Sequence, residues 1–209
     1  MTYDELDEDT QAKARERVRQ MESEDWRGSD YCEPQLAQIL GALGFDLDTV
    51  TEHVRAGAGG VRVSVRPAFE WTGFYSQGDG FRFFGTWYAD SMDTGKLMAE
   101  YPSWHALHKL CLQGTALMLR QPKGRITMRR ESYGAGLSYV ALDVPDIDDE
   151  EGGYCDDAMQ DDFKEWTEQL NKLCFDYLQE DYEDRCSDES ALSMIEANEW
   201  EFNEEGELI

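Results

Sequence analysis

The residues best suited to chemistry in this 209-residue chain are its acids. Asp and Glu number 45 against 19 Lys and Arg, a net charge of −26. One group, Asp161, Asp162, Glu165, Glu168, Glu180, Asp181, Glu183 and Asp184, recurs at spacings of three and four. That spacing lines carboxylates in rows along one side of a helix. Carboxylates held on a rigid rod can stand where phosphates stand, and they capture Arg or Lys by charge-assisted hydrogen bonds. A second group, Asp146, Asp148, Asp149, Glu150, Glu151, Asp156 and Asp157, makes an oxygen-rich loop of the kind that holds calcium. An EF-hand loop wants Gly at its sixth position and Glu at its twelfth; counted from Asp146 these are Glu151 and Asp157, so a solvated loop or partner surface is the better reading. His105, His108 and Cys111 share a helical spacing, but zinc needs three or four convergent ligands and no distant Cys/His pair completes the set. No bound metal and no cofactor are expected.

Ser76, Gln77 and Asp79 form the remaining candidate. They sit in Ser76-Gln-Gly-Asp-Gly80, between aromatic runs that alternate at period two: Phe69, Trp71 and Tyr75 enter, and Phe81, Phe83 and Trp87 return. The pattern predicts a β-hairpin, with Gly78 and Gly80 expected at positive φ and Asp79 bonding local amides. Gln77 is the residue that turn formation does not demand, so it is the sharpest clue to an exposed recognition tip. General acid–base pairs cannot be singled out among so many carboxylates. No GxSxG, P-loop or GxGxxG pattern appears in strand–helix context. A metal-dependent enzyme with a carboxylate site is kept as an alternative only.

Charge is unevenly placed. Residues 1–54 carry 14 acidic and 5 basic side chains, net −9; residues 55–142 carry 6 and 11, net +5; residues 143–209 carry 25 and 3, net −22. Arg62, Arg66, Arg82, Arg125, Arg129 and Arg130 of the basic middle fall on predicted strands beside Trp87 and Tyr88. A nucleic-acid-binding sheet is a second alternative. Pairing of these arginines with the chain's own acidic helices is favoured, because the field of the whole molecule opposes a polyanion.

Apolar periodicity supplies the elements that position these groups. Helices are expected at residues 8–24, at 34–43 with Gly44 as its stop, at 94–100, at 104–120 and from about Ala158 to Glu183. The stripe of the last is Met159, Phe163, Trp166, Leu170, Leu173, Cys174, Tyr177 and Leu178. On the 104–120 helix, Leu107, Leu110, Cys111, Met118 and Leu119 give the apolar faces. A further short helix follows Ser187, and Trp200-Glu-Phe202 ends the chain as a strand or docked arm. Residues 46–60 end in the run Ala56-Gly-Ala-Gly-Gly, which reads as a flexible loop or local hinge. Val61, Val63 and Val65 read as the buried side of a strand whose Arg62, Ser64 and Arg66 face water. Ile126–Arg130 and Leu137–Asp143 form a second hairpin around Tyr133-Gly-Ala-Gly. The expected fold class is α+β: one antiparallel sheet of four or more strands, built from two hairpins and packed with N- and C-terminal helices. The whole of 1–209 is expected as a single domain, with 1–54 a helical N-terminal part, 55–144 the sheet with inserted helices, and 145–209 an acidic helical C-terminal part. Five scattered cysteines without a CxxC pair, an acidic N-terminus and no long apolar run point to the cytoplasm rather than a membrane or secretion.

Gly73-Phe-Tyr-Ser-Gln-Gly-Asp-Gly80, the strand pair from Gly124 to Val144, and Asp181–Gly206 together resemble a family of acidic phage- and mobile-element-encoded proteins, often labelled antitoxins of toxin–antitoxin stability systems. The resemblance spans nearly the full length and implies a phage or plasmid setting in a host cell. The expected function is therefore that of a non-enzymatic interaction protein, an anti-defence (anti-CRISPR or anti-restriction) or antitoxin-like inhibitor. Its acidic, nucleic-acid-mimicking surface would meet the basic site of a bacterial nucleic-acid-binding protein or defence complex. Direct nucleic-acid binding is not expected.

Overall fold

The computed structural model describes residues 1–26, 28–56, 60–76, 79–130, 140–143 and 157–209. The helices are α1 (Glu8–Asp25), α2 (Gly28–Ala42), α3 (Thr94–Glu100), α4 (His105–Arg120), α5 (Asp157–Arg185) and α6 (Asp188–Ala197). The strands are β1 (Phe45–Leu47), β2 (Thr49–Ala56), β3 (Gly60–Pro67), β4 (Glu70–Trp71), β5 (Phe81–Arg82), β6 (Gly85–Tyr88), β7 (Arg125–Arg130) and β8 (Val140–Asp143). They form three antiparallel sheets: β1-β6-β7-β8, β2-β3 and β4-β5. The architecture is mixed α and β, but the single sheet of two hairpins flanked by terminal helices is not what forms.

Two local events divide the sheet. The aromatic hairpin pairs only Glu70↔Arg82 and Trp71↔Phe81. Beyond it Gly85, at φ 150°, redirects the chain so that Leu47↔Gly85, Asp46↔Thr86 and Phe45↔Trp87 become partners. Residues 49–56, to which the sequence reading assigns no strand, pair from Thr49↔Pro67 to Ala56↔Gly60. Thr49, Val50, Thr51 and Val54 give that stretch the β-branched content a strand favours. Strands β1 and β2 thus begin within the 1–54 stretch expected to be helical. The second hairpin is present as β7–β8, Thr127↔Asp143 to Arg130↔Val140, while the Tyr133-Gly-Ala-Gly turn lies outside the described residues.

The chain divides into two units, Met1–Cys32 with Asp176–Ile209, and Glu33–Phe175. In the first, Leu6, Ala14, Val18, Ala191, Ile195 and Phe202 form the core, with Tyr3, Met194 and Trp200 packed against it. Polar ties fix α1 to the C-terminal segments. Arg19 Nε donates to the Cys186 carbonyl at 2.8 Å, Trp26 Nε1 donates to Asp181 Oδ2 at 2.8 Å, and the Ser23 and Tyr182 hydroxyls lie 2.7 Å apart. Trp200-Glu-Phe202 is indeed a docked arm: Glu201 bridges Thr2, and Phe202 bridges Leu208.

α1 is capped by Asp7, whose carboxylate accepts from the Thr10 amide at 2.9 Å and the Thr10 hydroxyl at 3.0 Å. The amide bond, and after it the hydroxyl bond, holds the Asp7 carboxyl below its usual pKa. A depressed folded-state pKa contributes stability that is full above the unfolded value and is lost as pH falls through the folded one. Asp7→Ala is therefore expected to lower the thermal midpoint near neutral pH. The gap to wild type should close as pH falls below the ordinary aspartate range. A gap that stays constant to pH 2 would remove the cap from the account.

In the second unit the core is aromatic. Phe45 (β1) and Trp87 (β6) meet Phe163 and Trp166 of α5, with ring centroids 5.5 Å apart for Phe45–Trp166 and 5.2 Å for Trp87–Phe163. Phe163 and Trp166 of the α5 stripe therefore pack on the four-stranded sheet, as its spacing predicts. Both indoles satisfy their N–H while buried: Trp87 Nε1 donates to the Leu43 carbonyl at 3.1 Å, and Trp166 Nε1 to the Leu110 carbonyl at 2.9 Å. Gly114 of α4 lets the Trp166 indole approach, since a Cβ there would stand 2.6 Å from Cζ2.

Candidate functional site

The hairpin tip is turn chemistry. The Ser76 amide donates to Asp79 Oδ2 at 2.6 Å, the Asp79 amide donates back to the Ser76 carbonyl at 3.2 Å, and the Gly80 amide donates to Thr72 Oγ1 at 3.2 Å. Asp79 is thereby spent on the local backbone, and Ser76 is exposed. Gly80 is not among the positive-φ glycines, so the expectation of positive φ fails there. The Thr72–Gly80 pairing lets an extended residue close the ladder. Gln77 and Gly78 lie outside the described residues, as does 144–156 of the acidic loop.

Strand β3 turns its polar side inward. Val63 and Val65 are 56% and 63% exposed, whereas the buried Glu33 of α2, 2% exposed, draws Arg66 toward the protein. Arg66 Nη2 donates to Glu52 Oε1 at 2.6 Å and Nη1 stands 3.6 Å from Glu33 Oε2, while Trp71 Nε1 donates to Glu33 Oε1 at 3.3 Å. The Arg66 hydrogen bond and charge hold Glu52 below the usual carboxylate pKa, and the same bond to Glu52 leads in raising Arg66. The expected order of buried valines and outward arginines is thus reversed. A buried acid needs a partner, and Arg66 supplies the charge. Alternation alone does not reveal this, because it marks two faces without saying which one is covered.

Of the eight candidate acids on α5, four fall in each unit. In the second unit Asp161, Asp162, Glu165 and Glu168 are all exposed. Asp162 is paired with Arg120 of α4, and Glu165 Oε1 accepts from Gln169 Nε2 at 3.0 Å. In the first unit Glu180, Glu183 and Asp184 are exposed and Asp181 is half-buried. Asp181 serves the fold, accepting from Trp26 and standing 3.4 Å from Arg185; Glu183 accepts from Gln179 at 2.7 Å. Of the sheet arginines, Arg66 is used on Glu52 and Glu33, and Arg125 lies over the Tyr88 ring at 5.4 Å. The side chains of Arg62, Arg129 and Arg130 lie outside the described residues.

Beside the second-unit acids runs a groove between α4 and α5 of about 190 Å³. Gln113, Ala116 and Arg120 line one wall, Asp162, Glu165 and Gln169 the other, and Leu117 and Trp166 are its floor. Gln113 Oε1 is shielded there and accepts no hydrogen bond. Leu112 and Leu119 of α4, outside the groove's lining, are 64% and 71% exposed. Their spacing to Ala116 places all three on one row, and Leu119 is not part of the core its apolar character suggests. The signal was available: Leu112 and Leu119 fall out of phase with buried Leu107, Leu110, Cys111 and Leu117.

The His105–His108–Cys111 row is occupied by packing. His108 shares a hydrogen bond with the Tyr101 carbonyl at 2.8 Å, and burial pushes the Cys111 thiol up to about 11. Among the described residues no group of three or more His, Cys, Asp or Glu is arranged to hold a metal ion, and no helix is long and apolar enough to cross a membrane.

No curated protein and no solved structure matches the chain. A family model described as a domain of unknown function, DUF8835, matches residues 29–188, a span that takes in α2 through α5, every strand of the three sheets and the α4–α5 groove. The chain belongs to that family.

Proposed function

We propose that the protein works by binding rather than by catalysis, as an inhibitor that offers the exposed acids of α5 to the basic, nucleic-acid-binding site of a bacterial protein. A phage- or mobile-element-encoded anti-defence or antitoxin-like factor is the biological form of that reading. Asp161, Asp162, Glu165 and Glu168 are its core. The observation that carries it is their openness: four acids stand exposed on two helical turns, and of the arginines with described side chains only Arg120, from a helix rather than the sheet, pairs with them. Like charges so arranged repel one another, and a basic partner relieves that repulsion while the local field steers it in. The four acids of the first unit contribute less, because Asp181 already serves the fold.

The test is a triple reversal, Asp162→Lys with Glu165→Lys and Glu168→Lys, checked for native circular dichroism. Immobilised wild type is expected to retain bacterial nucleic-acid-binding proteins that added duplex DNA releases. The folded triple variant should lose them by roughly a hundredfold, as three exposed ion pairs of about 1 kcal/mol each would require. Unchanged retention by a folded variant would end the phosphate-mimic reading. A mobility shift of labelled DNA or RNA by the protein alone would favour the basic-sheet alternative instead.

A further inference from the structure

We propose that the α4–α5 groove is a docking site for one amphipathic helix of a basic partner protein, with the apolar side of that helix on Leu112, Ala116 and Leu119 and its cations on Asp162 and Glu165. The inference rests on the reading of the α5 acids as a protein-binding face and adds what kind of segment that face takes.

Two observations point to this occupant. The first is the pair of leucines: two large apolar side chains stand 64% and 71% exposed on the row of α4 that meets the groove at Ala116. Apolar surface left open along a helix is covered by an amphipathic helix at the same three- and four-residue spacing. The second is the asymmetry of charge. The α5 wall presents Glu165 and the Arg120-paired Asp162, with Asp161 and Glu168 one row further round, whereas the α4 wall carries Arg120 and, a turn before Gln113, the exposed Lys109. An evenly basic ligand is attracted by one wall and repelled by the other. A ligand with cations on one side and apolar groups on the other satisfies both.

The probe is a pair of fluorescein-labelled peptides of identical Leu and Lys composition and 16 residues each, the length of α4. One carries Leu at helical spacing and the other has the order scrambled. At near-physiological salt, where long-range attraction is largely screened, the patterned peptide is expected to bind at least about tenfold more tightly, the scale set by burying exposed leucines. Leu112→Ser with Leu119→Ser, both at exposed positions, should erase that difference and leave the scrambled peptide's affinity unchanged. Asp162→Lys with Glu165→Lys should weaken both peptides. Equal affinity of wild type for the two peptides overturns the groove, and so does a preference that survives in the serine variant. If the lysine variant weakens both peptides while wild type shows no preference, the acidic face stands and the groove falls. If the lysine variant binds both peptides as wild type does, both readings fall.

Discussion

Trp166→Ala is expected to cost about 3–5 kcal/mol of folding stability, the range for emptying a fully buried large aromatic site. The indole is 1% exposed and stands where three elements meet. It stacks on Phe45 of β1 at 5.5 Å, meets Trp87 of β6 edge-on at 6.0 Å and packs beside Phe163 at 5.7 Å. Its N–H donates to the Leu110 carbonyl, and Gly114 of α4 is bare where the ring passes. Truncation therefore opens a cavity that its neighbours cannot close, because Phe45 and Trp87 are pinned by β1–β6 pairing. It also removes the donor to Leu110, whose carbonyl sits in the middle of α4 and keeps its helical bond, so the cavity dominates the cost. Denaturant unfolding followed by far-ultraviolet circular dichroism measures the loss. A cost under about 1 kcal/mol would mean that the aromatic cluster does not hold the second unit together.

What the sequence makes legible follows from how many residues vote on each feature. The α5 stripe is specified by Met159, Phe163, Trp166, Leu170, Leu173, Cys174, Tyr177 and Leu178 over 29 residues, and all but the half-buried Tyr177 are buried. A period repeated that often has one solution. The opposite face follows from it, which is why the exposure of Asp161, Asp162, Glu165 and Glu168 is readable in advance. Short strands carry too few votes. Val61, Val63 and Val65 mark two faces of β3, but the covered face is decided by Glu33, almost thirty residues upstream on α2, through Arg66. The α4–α5 groove escapes for a related reason. Leu119 reads as a core residue until its phase is set against Leu107, Leu110, Cys111 and Leu117, and Gln113 Oε1 is shielded only by its tertiary surroundings. The sheet topology turns on one glycine among the 18 in the chain, and nothing local distinguishes Gly85 from Gly80.

That glycine carries the second large effect. Gly85→Ala is expected to destabilise by roughly 3–4 kcal/mol, from a backbone conformation that side-chain-bearing residues rarely adopt combined with a collision. At φ 150° a Cβ would collide with the Asp46 carbonyl oxygen and lie 2.9 Å from Leu47 Cα. Both obstacles are backbone of the neighbouring strand, so no rotamer change relieves them; either β1 moves away or the residue abandons its φ. Moving β1 breaks Leu47↔Gly85 and loosens Phe45↔Trp87, the pair that carries two members of the aromatic cluster. Abandoning φ instead undoes the redirection that separates β5 from β6, and the chain would have to run on as the longer hairpin that its alternating aromatics suggest. Gly80→Val is the control. Gly80 has no positive φ, and a Cβ there meets nothing within 4 Å, so its effect should stay within about 0.5 kcal/mol. The two variants reverse the order that turn chemistry alone would predict. Equal denaturation midpoints for both, or a larger loss at Gly80, would show that the hairpin tip rather than the β1–β6 junction sets the topology.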